Sequence, residues 1–350
     1  SSRTRNSMTE TKRTILITGC SSGCGLDAAH TLRERGWRVF ASCRKPEDCE
    51  KLISEGFESP QLDYANDASI RRGFAEVMAA TGKLRHNPAA SRPARPRLSA
   101  CNWRGSGGTL DALYNNGAYA LLGATEDIPT DALREIFETN FFGYHTLTSL
   151  AVPVMRKQGK RGRGHIIQHS SGFGLFSGPF RMPYCASKFA LEAHSQSLRV
   201  ELADTDIHVI ILNTGLIKTP IREKARPPYR KWIRPLVANS VWKTYYENEI
   251  EPRLFGPYKP DIFEDMPPAV TRQVIAALDS DRPYIRYYVT KLIWWVAFLV
   301  RATPSFVVDN LGLASICRAG FLRAYFGSKD SIHAVLHPPA KAASSVVDEN

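Results

Sequence analysis

The feature that most constrains this chain is a short apolar run that stops on glycine and at once opens a helix. Thr14-Ile15-Leu16-Ile17-Thr18 is followed by Gly19-Cys20-Ser21-Ser22-Gly23-Cys24-Gly25. An apolar run without alternation reads as a strand buried on both faces, as parallel sheets require. The glycines allow a sharp turn and put no Cβ between backbone and ligand. A helix N-terminus beyond them offers free N–H groups and partial positive charge, a seat for phosphate. Alone, such a turn is common. After a first strand and before a helix, it points to a dinucleotide-binding unit.

The rest of the chain continues the alternation. Helices are predicted over Leu26–Arg35, which ends at Gly36, and over Pro46–Glu55, which has proline in its first turn and Gly56 beyond. A third is expected over Ser69–Ala80. Thr130–Met155 reads as a long helix capped by Thr130 and bent near Gly143, and Tyr184–Ala203 as another. Strands are expected at Arg38–Cys43, Gln61–Asp63, Leu110–Tyr114, His165–His169, Ile207–Leu212 and Arg286–Val289. The implied fold is α/β: a doubly wound parallel sheet (Rossmann fold), single domain, with a C-terminal helical extension. Residues 1–12 form an expected disordered extension, with Met8 resembling a natural start. Residues 13–290 are expected to form that domain, and residues 291–350 the C-terminal extension. His86–Gly108 is rich in Pro, Arg, Ser and Gly without apolar period, and reads as a disordered basic insertion or a docking arm.

Charge narrows the partners. The 350 residues carry a formal net charge of +12, gathered in Lys83–Arg104, Arg156–Arg163 and Lys218–Arg234. No zinc-finger spacing or basic heptad accompanies them, so solvated loops are expected and nucleic acid is not. The seven cysteines are scattered without metal-ligand spacing, so no metal is expected, and free thiols fit a reducing, cytoplasmic setting. No signal peptide is recognised at the start. The longest apolar run, Leu292–Val300, falls well short of the ~20 residues that span a bilayer.

Two further elements carry chemistry. In Tyr184-Cys185-Ala186-Ser187-Lys188, residues four apart share a helix face, so the lysine can stand beside the tyrosine. A free phenol, with a pKa near ~10, is a poor acid/base at neutral pH, and a neighbouring ammonium favours its ionised form. Ser170-Ser171-Gly172 follows the strand at His165–His169, where a hydroxyl can hold an oxygen on which charge develops.

The ordered set resembles the short-chain dehydrogenase/reductase family, in the branch with a TGxxxGxG turn and a YxxxK pair, over roughly Thr14 to Thr219. The resemblance implies that Tyr184 is the general acid/base. It implies that Lys188 lowers the tyrosine pKa and binds the nicotinamide ribose. Ser171, rather than Ser170, holds the substrate oxygen, and Asn140 holds a water in the proton relay. Gly19, Ser21, Ser22, Gly23, Gly25 and Leu26 form the phosphate turn. Asn115, Asn116 and Gly117 close over the adenine-ribose side, Asp63 contacts the adenine, and Thr219 belongs to the nicotinamide loop. There are two departures from the family pattern. Asn115-Asn116-Gly117-Ala118 reverses the usual Ala-Gly order, and Asn213-Thr214-Gly215 has threonine where the family usually has proline.

The second strand ends Ala41-Ser42-Cys43-Arg44-Lys45, with no acid at its tip. A carboxylate there would bind the 2′-hydroxyl of NAD, whereas guanidinium accommodates the 2′-phosphate of NADP. NADP is therefore the expected cofactor, with NAD the alternative. The expected substrate lid, residues 217–280, carries Tyr229, Trp232, Trp242, Tyr245 and Tyr246, which suit either the walls of a large apolar site or ordinary packing. Tyr284–Arg301 is expected to be a buried helix, with a dimer surface or shallow membrane contact as alternatives. Likeness to hydroxysteroid and retinol dehydrogenases and to bacterial aldehyde and ketone reductases implies an oxidoreductase acting on a hydrophobic carbonyl or alcohol, and commonly a homo-oligomer. The competing reading is a non-catalytic NADP(H)-sensing module.

Overall fold

The computed structural model describes residues 12–83, 108–158, 164–260 and 263–303. The expected N-terminal extension and basic insertion, apart from residues 12 and 108, and the last part of the C-terminal extension lie outside these residues.

Strands β1 (Thr14–Ile17), β2 (Arg38–Ala41), β3 (Ala112–Asn115), β4 (Gly164–His169), β5 (Ile207–Asn213) and β6 (Arg286–Tyr288) form one parallel sheet in the order β2-β1-β3-β4-β5-β6. The chain leaves β1 to one side for β2 and returns to its other side as β3. This reversal opens a crevice at the strand ends, where ligands bind in such sheets.

Side chains alternate across the sheet. Ile15, Ile17, Ala112, Tyr114, Ile167 and Leu212 face one layer, made with α1 (Gly23–Glu34), α2 (Pro46–Ser54) and later α10 (Pro267–Asp279). Leu16, Phe40, Leu113, Ile166 and Val209 face the other, made with α3 (Asp67–Lys83), α5 (Gly143–Gln158) and α6 (Met182–Glu201). Burial on both faces explains why the strand sequences are apolar without alternation.

Several expectations are corrected. Gln61–Asp63 is not a strand; it pairs with the chain just beyond β2 through the isolated bridge Cys43↔Gln61. Pro60 has no N–H to donate, and the Asp63 N–H turns away to Ser69 Oγ, so the ladder stops. Thr130 does not cap its helix: α4 (Thr130–Phe137) begins at that residue, and Pro129 holds the cap position without a side-chain hydrogen bond. The expected long helix is interrupted by a π turn, Glu138–Phe142, before α5 starts at Gly143.

The lid region, α7 (Ile221–Trp232), α8 (Lys243–Tyr245), a π turn and α9 (Glu251–Phe255), has its own core. Tyr229, Tyr245 and Tyr246 are buried inside that core. Trp232 and Trp242 pack against it and donate their indole N–H groups to Glu135 and Glu126. These five aromatics therefore pack the lid rather than line the ligand site, whose wall takes Tyr258 from this region instead. The last helix, α11 (Lys291–Ala302), is only half buried: Ile293, Val296 and Ala297 face inward, while Trp294, Trp295 and Phe298 are exposed. Among the described residues, no helix is long and apolar enough to cross a membrane.

Candidate active site

The glycine-rich turn joins β1 to α1 at the crevice. Gly19 and Gly23 adopt φ of 69° and 63°, which side chains rarely tolerate. A Cβ on Gly19 would lie 2.7 Å from Gly117 Cα, and one on Gly25 2.8 Å from Gly19 O, so the turn is closed by contact as well as by conformation. Asn116 Nδ2 donates to the Thr18 carbonyl at 2.9 Å, and its N–H to Thr18 Oγ1 at 2.9 Å. The loops after β1 and β3 are thus clamped together. Ser22 sits at the N-cap of α1, yet its hydroxyl makes no cap bond, and its Oγ is buried without a hydrogen-bond partner. Leaving a buried hydroxyl unpaired costs roughly 1–3 kcal/mol, and a phosphate oxygen at the helix N-terminus would relieve it. The turn therefore fits the pyrophosphate of a dinucleotide.

Tyr184 and Lys188 lie one helical turn apart on α6. Lys188 is only 1% exposed; its Nζ donates to the His169 carbonyl at 2.7 Å and stands 5.7 Å from the centre of the Tyr184 ring. Burial pushes the lysine down to about 7, with the Glu192 carboxylate pulling the other way. Ser171, just beyond β4, accepts at Oγ from the Phe173 N–H at 3.2 Å. Ser170 is turned away, its hydroxyl donating to Glu192 at 2.6 Å. Asn140 lies inside the π turn, a device that re-aims a helical residue. Its amide donates to the Tyr119 carbonyl at 3.0 Å and to Ser187 Oγ at 3.1 Å, and its Oδ1 accepts from the Tyr119 N–H.

A single cavity of about 260 Å³ joins these parts. Gly19, Ser22, Gly23, Gly117, Ser171, Tyr184, Lys188 and Thr219 line it, while Ser21, Gly25, Leu26, Arg44, Asp63, Asn115 and Asn140 stand outside its wall. Asn115 is fully buried and commits its side chain to Tyr64, Thr148 and Gln168. Asp63 accepts from the Ala65 N–H. Arg44 is exposed at the tip of β2. Sequence alone did not single out His169, Phe173, Phe176 or Leu122, all of which line the cavity. For His169, Phe173 and Phe176 the only sequence signal is position, close to Ser170-Ser171 at a strand end.

Among the described residues, no group of His, Cys, Asp or Glu side chains is arranged to hold a metal. Burial pushes the Cys24 and Cys43 thiols up to about 12, which leaves them protonated and unreactive.

A parallel sheet with a phosphate-accepting turn at its reversal point defines a dinucleotide-binding α/β protein. The family model of the short chain dehydrogenases matches residues 13–86 and 101–230, so the chain belongs to that family. It is an oxidoreductase that uses a nicotinamide cofactor. An uncharacterized oxidoreductase, YbbO of Escherichia coli (strain K12), is 32% identical over 300 residues, covering 86% of this chain and 94% of that protein. Retinol dehydrogenase 8 of Bos taurus is 30% identical over 221 residues, covering 62% of this chain and 63% of its own. The crystal structure of a short-chain dehydrogenase from Streptomyces avermitilis shares the fold with a TM-score of 0.61 at 22% identity, covering 89% of this chain and 99% of that one.

Proposed function

We propose that this protein is an NADP-dependent oxidoreductase acting on a hydrophobic carbonyl or alcohol, with Tyr184 as its general acid/base. The carrying observation is that Ser171, Tyr184 and Lys188 converge on the same cavity as the phosphate-accepting turn. When bound, the nicotinamide supplies or takes the hydride. Tyr184 gives a proton to the substrate oxygen in reduction and takes it in oxidation. The Lys188 ammonium favours the phenolate and so brings Tyr184 toward working pH. Ser171 Oγ holds the substrate oxygen. Asn140 is assigned the far end of the proton relay; it reaches α6 at Ser187, beside Lys188 in the chain.

Gly19, Ser21, Ser22, Gly23, Gly25 and Leu26 are assigned to the pyrophosphate, Asp63, Asn115 and Gly117 to the adenosine side, and Thr219 to the nicotinamide loop. NADP is favoured over NAD by Arg44, exposed at the β2 tip with no acid at that position. Phe173, Phe176, Leu122 and Leu292 line the cavity and support an apolar substrate. Residues 13–290 are proposed as the catalytic domain, with 217–280 as its lid. The buried free cysteines support a reducing, cytoplasmic setting.

The test measures NADPH and NADH consumption against aldehydes, ketosteroids and retinal, for the wild type and Tyr184→Phe. The substitution is expected to abolish turnover and leave cofactor binding within about twofold, since it removes a proton donor and not a phosphate contact. Unchanged turnover overturns the role of Tyr184, and a preference for NADH overturns the NADP assignment. A peripheral contact is proposed for the exposed face of Trp294, Trp295 and Phe298, which Lys291 and Arg301 flank. Its partner is an anionic bilayer or a second copy of the chain. Co-sedimentation with anionic vesicles at low salt supports the first; a dimer in solution without pelleting supports the second.

A further inference from the structure

We propose that Tyr114, His169 and Thr214 form a hydrogen-bonded relay across three strand ends that holds the nicotinamide loop, with His169 a positioning residue for cofactor binding. The inference rests on the nicotinamide reading above.

The residues come from the same face of adjacent strands. Tyr114 pairs in register with Ile167, and His169 with Leu212. Stepping two residues along a strand keeps a side chain on one face. His169 therefore continues the face of Ile167, and Thr214 that of Leu212. The sheet face is apolar up to that layer and turns polar where it meets the cavity, which both His169 and Thr214 line.

The contacts run in a chain. Tyr114 Oη lies 2.8 Å from His169 Nδ1, and His169 Nε2 lies 3.2 Å from Thr214 Oγ1. The Tyr114 and His169 rings are stacked, 8° from parallel. Thr214 Oγ1 is 3.4 Å from the Ser170 carbonyl, which can only accept, so the threonine hydroxyl donates there. Thr214 then accepts from the Nε2–H of His169. A neutral imidazole protonated at Nε2 presents a bare Nδ1, which accepts the Tyr114 hydroxyl proton. Burial, followed by the nearby Lys188 charge, holds His169 down to about 3 and so keeps it neutral. Every donor in the relay points the same way, from Tyr114 to Ser170.

His169 also touches the proton-transfer group, because its carbonyl receives the Lys188 ammonium at 2.7 Å. One residue thus seats the lysine with its backbone and the nicotinamide loop with its ring. The loop has little other freedom. The Thr214 carbonyl accepts from the Gly172 N–H at 2.9 Å, and a Cβ on Gly215 would come within 3.1 Å of Ile293. Where a proline would fix φ by its ring, this chain fixes residue 214 by a side-chain hydrogen bond.

The experiment measures binding of NADPH and NADH by nicotinamide fluorescence, together with KM and kcat, for the wild type, Tyr114→Phe, His169→Val and the double variant His169→Val/Thr214→Pro. His169→Val is expected to weaken binding and raise the cofactor KM about tenfold, with kcat lowered less than about threefold. Tyr114→Phe, which removes one hydroxyl and nothing else, should weaken binding about threefold. The double variant should return to within about threefold of wild type, because proline restores the restraint without needing a partner. A merely structural role would leave it as damaged as the single variant. The His169 ring nitrogens, followed by NMR, should show the Nε2–H form with no titration between about pH 5 and 9.

Wild-type binding with His169→Val unchanged overturns the proposal, as does a double variant no better than the single one or a titrating His169. Should His169→Val fail to fold, Tyr114→Phe decides, and unaltered binding there overturns it equally. A wild-type protein that binds neither nucleotide overturns the nicotinamide reading instead.

Discussion

Lys188 shows how a single residue acquires its properties from where it is buried. In sequence it is half of a four-spaced pair, legible as a neighbour of Tyr184, with its role implied only by the family resemblance. The fold buries it to 1% exposure and gives its ammonium the His169 carbonyl, and its pKa falls from the ordinary 10.5 to about 7. The folded value is the lower one, so between about 7 and 10.5 the unfolded chain holds more protons than the folded chain. Stability from this group therefore rises with pH across that window, and the burial penalty is present in full below it. Lys188→Met should flatten this part of the profile, measured as urea unfolding free energies at about pH 6.5, 8 and 9.5. A profile as steep as that of the wild type would assign the dependence elsewhere.

Among the elements, the bent helix over residues 130–158 was legible as helix, and its interruption as a bend near Gly143. The sequence did not show that the interruption is a π turn carrying Asn140. That depends on a neighbour: a Cβ on Gly143 would lie 2.6 Å from the Tyr64 carbonyl oxygen. Tyr64 in turn donates its hydroxyl to Asn115 at 2.6 Å and meets Thr18 Oγ1 at 2.7 Å, so the packing reaches the strand end before the glycine-rich turn. Gly143→Ala should cost about 1–3 kcal/mol, the usual penalty of overpacking, and lower cofactor affinity with it. Thermal unfolding and NADPH titration check both effects; a normal melting temperature would show that the helix shifts freely past Tyr64. The missing strand at Gln61–Asp63 has the same kind of cause, since the fate of one N–H was settled by Ser69, six residues away.

Across the full fold, the site is held by a buried ion pair that no local pattern announces. Glu192 on α6 receives Ser170 from the turn after β4, Asn213 from β5 and Arg286 from β6, and the carboxylate and guanidinium side chains are 5% and 15% exposed. Asn213 Nδ2 also donates to the Ser171 carbonyl at 3.1 Å, which ties this network to the proposed substrate-holding serine. Removing one partner of such a pair strands the other in low dielectric. Glu192→Ala should therefore cost about 3–5 kcal/mol, while Glu192→Gln, which keeps acceptors for Ser170 and Asn213, should cost less. Denaturant unfolding of both variants checks the order; equal losses would mean that the charge of Glu192 carries the whole effect and its hydrogen bonds to Ser170 and Asn213 none.

Short-range order was legible without any structure: an apolar run without alternation, glycines at a turn, a tyrosine and lysine on one helix face. These features depend on backbone sterics and helical period, which a few neighbouring residues set. They were enough for the parallel α/β fold and the family resemblance, and for singling out Ser171, Tyr184 and Lys188, which the fold brings to one cavity. Which side chains meet across strands came from the folded chain alone. Folding turned Tyr229, Tyr245 and Tyr246 of the lid inward, exposed the tryptophans of α11 and committed Asn115 to the core. It also brought His169 against Tyr114 and Thr214, 55 and 45 residues away along the chain. Such meetings depend on register and on the packing of distant elements, and no local pattern encodes either.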